Sequence, residues 1–456
     1  MKNKNTPTMR RVTTRIFFAL IFAICAGVVP QAQAADTKKY EPLTLEEWWN
    51  GKKFTGNWFG ARDAIADHGL SFEGKWRGAY YGVVASQNGQ RGFFDEELLF
   101  GAKADFKKML GVDALEGLTG FGEVRWREPG YDSNPNNYVQ ASSMFNPSHF
   151  QSGTGWRLLT FGLKYVTPEL FGAKEFLTIT GGWVRPQKEF IDQPISKIFV
   201  NNAIESAKGI GGNIPFSSSF SSWGGTVQIK PVEWQYTKLG LFMAYPESTF
   251  SSNNGLMFEG YAPDPSQNSL FFMGETGITP KIGASKLPGR YAFGSYYYGE
   301  DNRVYGQPKY GFYWQADQML YRESSAPAAE GKKAELSKEG LSMFSLVTCA
   351  PKYNGQYPFY FQTGLAYEGL IPTRNKDTTY IGMALGDYDD YTRVTRRTPA
   401  RNRQQKTYTA VIEGGYKAQL NGWAFIQPYF QYISQPNGNT YIANAAILGF
   451  MAGVDF

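Results

Sequence analysis

The chain has 456 residues, with 46 basic and 40 acidic side chains, two cysteines and two histidines. Two histidines leave few candidate bases for an enzyme, and no mature segment reaches 18 consecutive apolar residues, which excludes spanning helices. No linker or low-complexity tract divides the chain, so its length is read as one large β structure rich in Gly and Tyr rather than as several soluble domains.

The amino-terminal stretch reads as an export signal over residues 1–34. Lys2, Lys4, Arg10, Arg11 and Arg15 precede an uncharged run from Ile16 to Val29, then Pro30 and the small-residue site Ala32-Gln33-Ala34. The run is about 14 residues long, shorter than the roughly 20 that a spanning helix requires. Cys25 lies within it but lacks the small residue expected before a lipidated cysteine. Without this segment the charge is 41 basic against 40 acidic residues, so the apparent basicity gives no support for nucleic-acid binding. Cys349 is then the single cysteine, which excludes an intramolecular disulfide.

Residues 35–69 are expected to form a helical, periplasmic segment. Leu43–Asn50 fits one short helix, and Asn57–His68 a second, with Asn57 at the N-cap and Gly69 after the end. His68 reads as a helix-end residue.

From Leu70 the apolar period becomes two: Leu70, Phe72, Trp76 and Tyr80 alternate with Ser71, Glu73, Lys75 and Arg77. A sandwich strand and a membrane-barrel strand share that pattern, and repetition separates them. Further strands are predicted at 93–106, 119–128, 156–165, 176–184, 223–230, 236–245, 270–279, 290–298, 310–320, 341–350, 359–369, 378–385, 407–417, 423–433 and 441–456. The total is sixteen, an even number, as a bacterial single-chain barrel requires. The expected fold is therefore an all-β transmembrane antiparallel barrel over residues 70–456. The last strand alternates Ala446, Leu448, Phe450, Ala452, Val454 and Phe456, and is expected to pair with the first so that no edge remains.

Parity places 129–155, 185–222, 246–269 and 386–406 outside, and the shorter 166–175, 231–235 and 418–422 on the periplasmic side. The long connection 321–340 breaks the trend. Loop 386–406 has an acidic half (Asp387, Asp389, Asp390) and a basic half (Arg393 to Lys406) that could pair with each other or meet lipopolysaccharide phosphate.

Four stretches resemble the carbohydrate-selective porin (OprB) family of Gram-negative outer membranes. They are Thr55-Gly-Asn-Trp-Phe-Gly-Ala-Arg62-Asp63 with Gly69-Leu-Ser-Phe72; Tyr313-Trp-Gln-Ala-Asp317-Gln318-Met-Leu-Tyr-Arg322; Gly340 to Phe344 with Gly364 to Asp377; and Glu413-Gly-Gly-Tyr416 with Ile426 to Gly438 and the terminal strand. In the first, Asn57 and Phe59 depart from the family's usual Asp and Gly. The resemblance implies a sixteen-stranded outer-membrane pore that passes mono- or oligosaccharides down their gradient. The implied partners are carbohydrate solutes, outer-membrane lipid and lipopolysaccharide, the assembly machinery acting on the last strand, and other copies of the chain in a homo-oligomer; nucleic acid is not among them.

A sugar pore needs no cofactor, metal or catalytic residue. It needs a polar constriction that replaces part of the solute's hydration and releases it again. In strand 119–128, Val124 and Trp126 facing lipid would send Glu123, Arg125 and Arg127 into the lumen. Glu73, Lys75, Arg77 and Arg157 would join them, since the Arg fork and carboxylates both suit hydroxyls. Loop 185–222 is the candidate to fold inward, flanked by Trp183, Phe190 and Trp223. The rival readings are a general, anion- or organic-acid-selective porin, and an outer-membrane hydrolase using His149 in Asn146-Pro-Ser-His149-Phe. Adjacent Ser148 and His149 do not suit a nucleophile–base pair.

Overall fold

Alternation of apolar and polar side chains commits each strand to two different surroundings, and the computed structural model shows how sixteen such strands satisfy both. It describes residues 44–129, 135–141, 145–148, 150, 155–206, 208–214, 221–244, 269–299, 309–323, 338–351, 357–388 and 407–456. The export signal, His149 and most of the charged loop 386–406 lie outside these residues.

The described chain begins with helix α1 (Leu45–Trp49), closed by a reciprocal Thr44–Glu47 capping box. The second helical stretch differs from expectation. Trp58 and Phe59 adopt left-handed backbone angles, so a 3-10 turn at Trp58–Gly60 precedes helix α2 (Ala61–Asp67). Asn57 serves this kink rather than capping one long helix: its amide donates to Asp63 Oδ2 at 2.6 Å, and its Oδ1 accepts from the Asp63 amide. The His68 ring nitrogen meets the Ala64 carbonyl at 2.7 Å, as suits a residue at a helix end.

The strands are β1 (Leu70–Ala85), β2 (Arg91–Asp105), β3 (Leu118–Pro129), β4 (Gly155–Val166), β5 (Leu177–Val184), β6 (Ser222–Val232), β7 (Gln235–Ala244), β8 (Ser269–Ile278), β9 (Leu287–Tyr298), β10 (Lys309–Arg322), β11 (Gly340–Cys349), β12 (Phe359–Glu368), β13 (Thr378–Asp387), β14 (Tyr408–Gln419), β15 (Ala424–Ser434) and β16 (Ala445–Asp455). Each pairs antiparallel with its sequence neighbours. β16 returns to β1 in a register running from Lys75 opposite Asp455 to Val83 opposite Ile447, with a bulge before Ala85. Among the described residues this gives a closed sixteen-stranded barrel with two-residue ladders added at Glu169–Lys174 and Lys281–Ile282.

Closure leaves no edge, so all strands can face a medium without water. The outward positions are apolar and exposed, among them Tyr80, Phe100, Phe161, Leu239, Phe293, Ile381, Leu448 and Phe450. They pair across strands: Tyr80 stacks on Phe450 over the closing seam, with ring centroids 5.6 Å apart, and Phe293 stacks on Phe312 at 6.0 Å. Inward positions are buried, as for Tyr81, Tyr313, Gln315, Glu413 and Gln431. No helix among the described residues is long and apolar enough to cross a membrane; the strands supply the span.

The last strand begins at Ala445, not Tyr441. Asn439 Oδ1 accepts from the Tyr441 amide and Asn444 Oδ1 from the Gln435 amide, so both side chains hold the preceding segment in a turn. Beyond the strand, the Phe456 amide donates to Gly74 O at 2.8 Å. The helical segment locks this corner: Phe54 N donates to Asp455 O, Arg62 reaches Phe456 O at 3.3 Å, and Trp423 Nε1 donates to Trp48 O.

Candidate functional site

A regular strand would place every second residue of β3 in the lumen, and Glu123, Arg125 and Arg127 line a cavity on that side. Their neighbour β4 is not regular. A bulge between Thr160 and Leu158 leaves Leu159 without a register partner, so that Thr160 faces Glu123 while Arg157 faces Arg125. Outside the wall the same register sets Trp126 against Trp156, and Trp156 stacks on Phe100 at 6.4 Å. On the lumen side Arg127 donates from Nε to Glu97 Oε2 at 2.6 Å, Arg125 Nε lies 3.9 Å from the same oxygen, and Arg77 is opposite Glu97 in register. Glu73 pairs with Lys103 at 3.4 Å. Arg157, beside Arg125 in register, is buried and does not line the cavity.

The segment after β5 folds into the barrel. Helix α3 (Phe106–Leu110) caps the β2–β3 connection, and helix α4 (Pro135–Val139) belongs to the β3–β4 loop. Helices α5 (Pro186–Phe190), α6 (Asn202–Glu205) and α7 (Lys208–Gly211) then belong to the β5–β6 loop. Phe190, Phe199, Ile204 and Ile210 are buried, and the Phe199 ring packs edge-on against Tyr380 with centroids 4.8 Å apart. Apolar anchors supply the docking energy, while side chains of the far wall satisfy the irregular backbone. From the wall, Gln427 donates to Ile198 O at 2.7 Å, and from the loop Gln193 donates to the wall carbonyl Ser345 O at 2.8 Å. Both oxygens of Glu413 accept from the loop, from the Val200 and Asn201 amides at 2.7 Å each. Arg290, held by buried Glu275 at 3.0 Å, donates to the Phe190 and Asp192 carbonyls. The β3–β4 loop also turns inward: Phe145 and Phe150 are buried, and the Pro147 carbonyl accepts from Gln431.

The near end of the β5–β6 loop meets the charged wall. Arg185 Nη2 lies 2.8 Å from Glu123 Oε1 and Lys188 Nζ 3.6 Å from its other oxygen. Between loop and wall is a cavity of about 760 Å³, lined by Glu73, Arg77, Glu123, Arg125 and Arg127 together with Arg185, Lys188 and others. A polar, charged space of that size can hold a monosaccharide.

The model of the carbohydrate-selective porin OprB family matches residues 94–456. The chain belongs to the OprB family. It is an outer-membrane β-barrel porin, a channel for carbohydrate solutes. This OprB-family porin is 24% identical over 490 residues to Porin B of Pseudomonas aeruginosa, with 98% of each chain covered. Two structures of Pseudomonas putida OprB share its fold. The high-pH form has a TM-score of 0.74 at 21% identity and the low-pH form 0.55 at 18%, each match covering 89% of this chain and 99% of the other.

The sequence reading missed Glu97, Arg185, Lys188, the loop anchor Gln193 and the wall residues Glu275 and Glu413. Glu97 was legible, since β2 alternates Phe93, Asp95 and Glu97 on one side. Glu413, Gln427 and Gln431 stand inside the quoted Glu413-Gly-Gly-Tyr416 and Ile426–Gly438 stretches. Those stretches hold the β5–β6 loop through Glu413 and Gln427 and the β3–β4 loop through Gln431.

Proposed function

We propose that carbohydrate moves passively through the space between the β5–β6 loop and the β1–β5 wall, with Glu73, Arg77, Glu123, Arg125 and Arg127 lining it and Arg157 buried beside Arg125. The Arg185–Glu123 bridge carries this reading, because it ties the loop to the charged wall at the cavity. Guanidinium and carboxylate groups held there can trade hydrogen bonds with sugar hydroxyls, and water in the barrel keeps the binding weak enough for release. Mono- and short oligosaccharides are the solutes that suit a cavity of about 760 Å³.

The rest of the chain suits the same role. Residues 1–34 direct export, and residues 35–69 stay on the periplasmic face with the short turns. Ala445–Phe456 presents the strand that the outer-membrane assembly machinery reads. The basic half of loop 386–406 meets lipopolysaccharide phosphate, and several barrels associate through their apolar outer bands into a homo-oligomer. Planar-bilayer recording with graded sugars tests the path. Arg185→Ala raises single-channel conductance and weakens sugar block at least threefold; unchanged conductance and block would place the path elsewhere.

A further inference from the structure

We infer that the cavity prefers a sugar carrying a carboxylate over a neutral sugar of the same size. The inference deepens the proposed path and rests on it. Across the chain without its export segment, basic and acidic residues are nearly equal in number. The cavity is not balanced: nine of its lining side chains are basic and six acidic. The excess belongs to the barrel wall, with six basic side chains against three acidic; the loop folded against it adds three of each.

Two of the wall acids are drawn into ion pairs, with Glu97 10% exposed beside Arg127 and Glu123 18% exposed between Arg185 and Lys188. The most exposed lining side chains are of both signs, Lys103 and Lys188 at 68% and 49% and Glu73 and Asp192 at 48% and 50%. The wall also sets Arg125 directly opposite Arg157, a like-charge cross-strand arrangement that is ordinarily unfavourable. Of the two, Arg125 lines the cavity and is the one an entering anion meets. A carboxylate matches the planar guanidinium fork, and the ring hydroxyls remain for Glu73 and Thr160. Walls of low dielectric concentrate the field of such a group of charges within the pore.

The test uses the full-length porin in planar bilayers, with glucose and glucuronate as probes. At 0.1 M salt, glucuronate should half-block the channel at a concentration about fivefold below that of glucose, and chloride should permeate faster than potassium. At 1 M salt, where the screening length falls to about 3 Å, the gap should close. The double variant Lys103→Gln, Lys188→Gln should narrow the gap at low salt. Glucose block with equal or weaker glucuronate block overturns the inference and leaves the path intact. A preference that survives both high salt and the double variant overturns the electrostatic account. Block by neither sugar overturns the path itself.

Discussion

Glu413 is one of several wall side chains that hold the inward β5–β6 loop, and removing its carboxylate is the sharpest perturbation of the architecture. Glu413 is fully buried and accepts the Val200 and Asn201 amides at 2.7 Å each, the Gln431 side-chain amide at 3.2 Å and the Tyr380 hydroxyl at 3.3 Å. Glu413→Ala leaves two buried backbone donors without this acceptor, each costing about 1–3 kcal/mol. The desolvation cost of Glu413 itself disappears, so a net loss of about 3 kcal/mol for the docked loop is reasonable. At 1.4 kcal/mol per decade, that shifts the docked-to-undocked ratio about 150-fold. The barrel pairing of β14 with β13 and β15 is untouched, so the variant should still fold. Single-channel recording should show flickering between conductance levels and raised open-channel noise. Glu413→Gln keeps one acceptor oxygen and should lie between the two. Wild-type current and noise in the Ala variant, with the barrel folded, would refute the idea that Glu413 fixes the loop.

Two further predictions concern the barrel frame. Tyr429 reaches from β15 over Gly449 of β16 and donates to Tyr80 O of β1 at 2.9 Å, so it bridges three strands at the closing seam. A side chain at 449 would meet that ring and the Tyr80 carbonyl at about 2.4 Å, so Gly449→Val should destabilise the barrel by about 1–3 kcal/mol. Heat-dependent gel mobility would show the folded band lost at lower temperature, and an unshifted transition would contradict the prediction. In the turn before β13, burial pushes the Asp377 carboxyl up. Hydrogen bonds from Tyr416, Arg374 and the Gln419 amide outweigh that effect and hold it below the ordinary aspartate range. A depressed folded-state value means that the stabilisation is present above the unfolded value of about 3.9 and fades as the pH falls through the folded one. The stability gap between wild type and Asp377→Asn should therefore narrow in acid; a gap constant from pH 7 to pH 2.5 would remove Asp377 as its source.

The strand count, the antiparallel order and the closure of the last strand on the first were legible from the chain alone. Each follows from a period of two repeated between turns, and that period is a local property of adjacent residues. The same parity sends Glu73, Arg77, Glu123, Arg125 and Arg127 inward, because facing lipid would strand their charges. Parity fails where a strand is irregular: the bulge at Leu158–Leu159, which sets Arg157 against Arg125, has no marker in the order of residues.

The course of the inward loop was decided only in three dimensions. Loop 185–222 had length and flanking aromatics to recommend it, but its path depends on Phe199 finding Tyr380 and on Glu413 finding two amides more than two hundred residues away. Such contacts form because a closed barrel brings distant strands around one lumen. The uneven charge of the cavity comes from the strands brought together in one wall, six basic side chains against three acidic, while the loop adds three of each. A nearly neutral composition thus became a basic chamber, because folding chooses which charges share a space and composition only counts them.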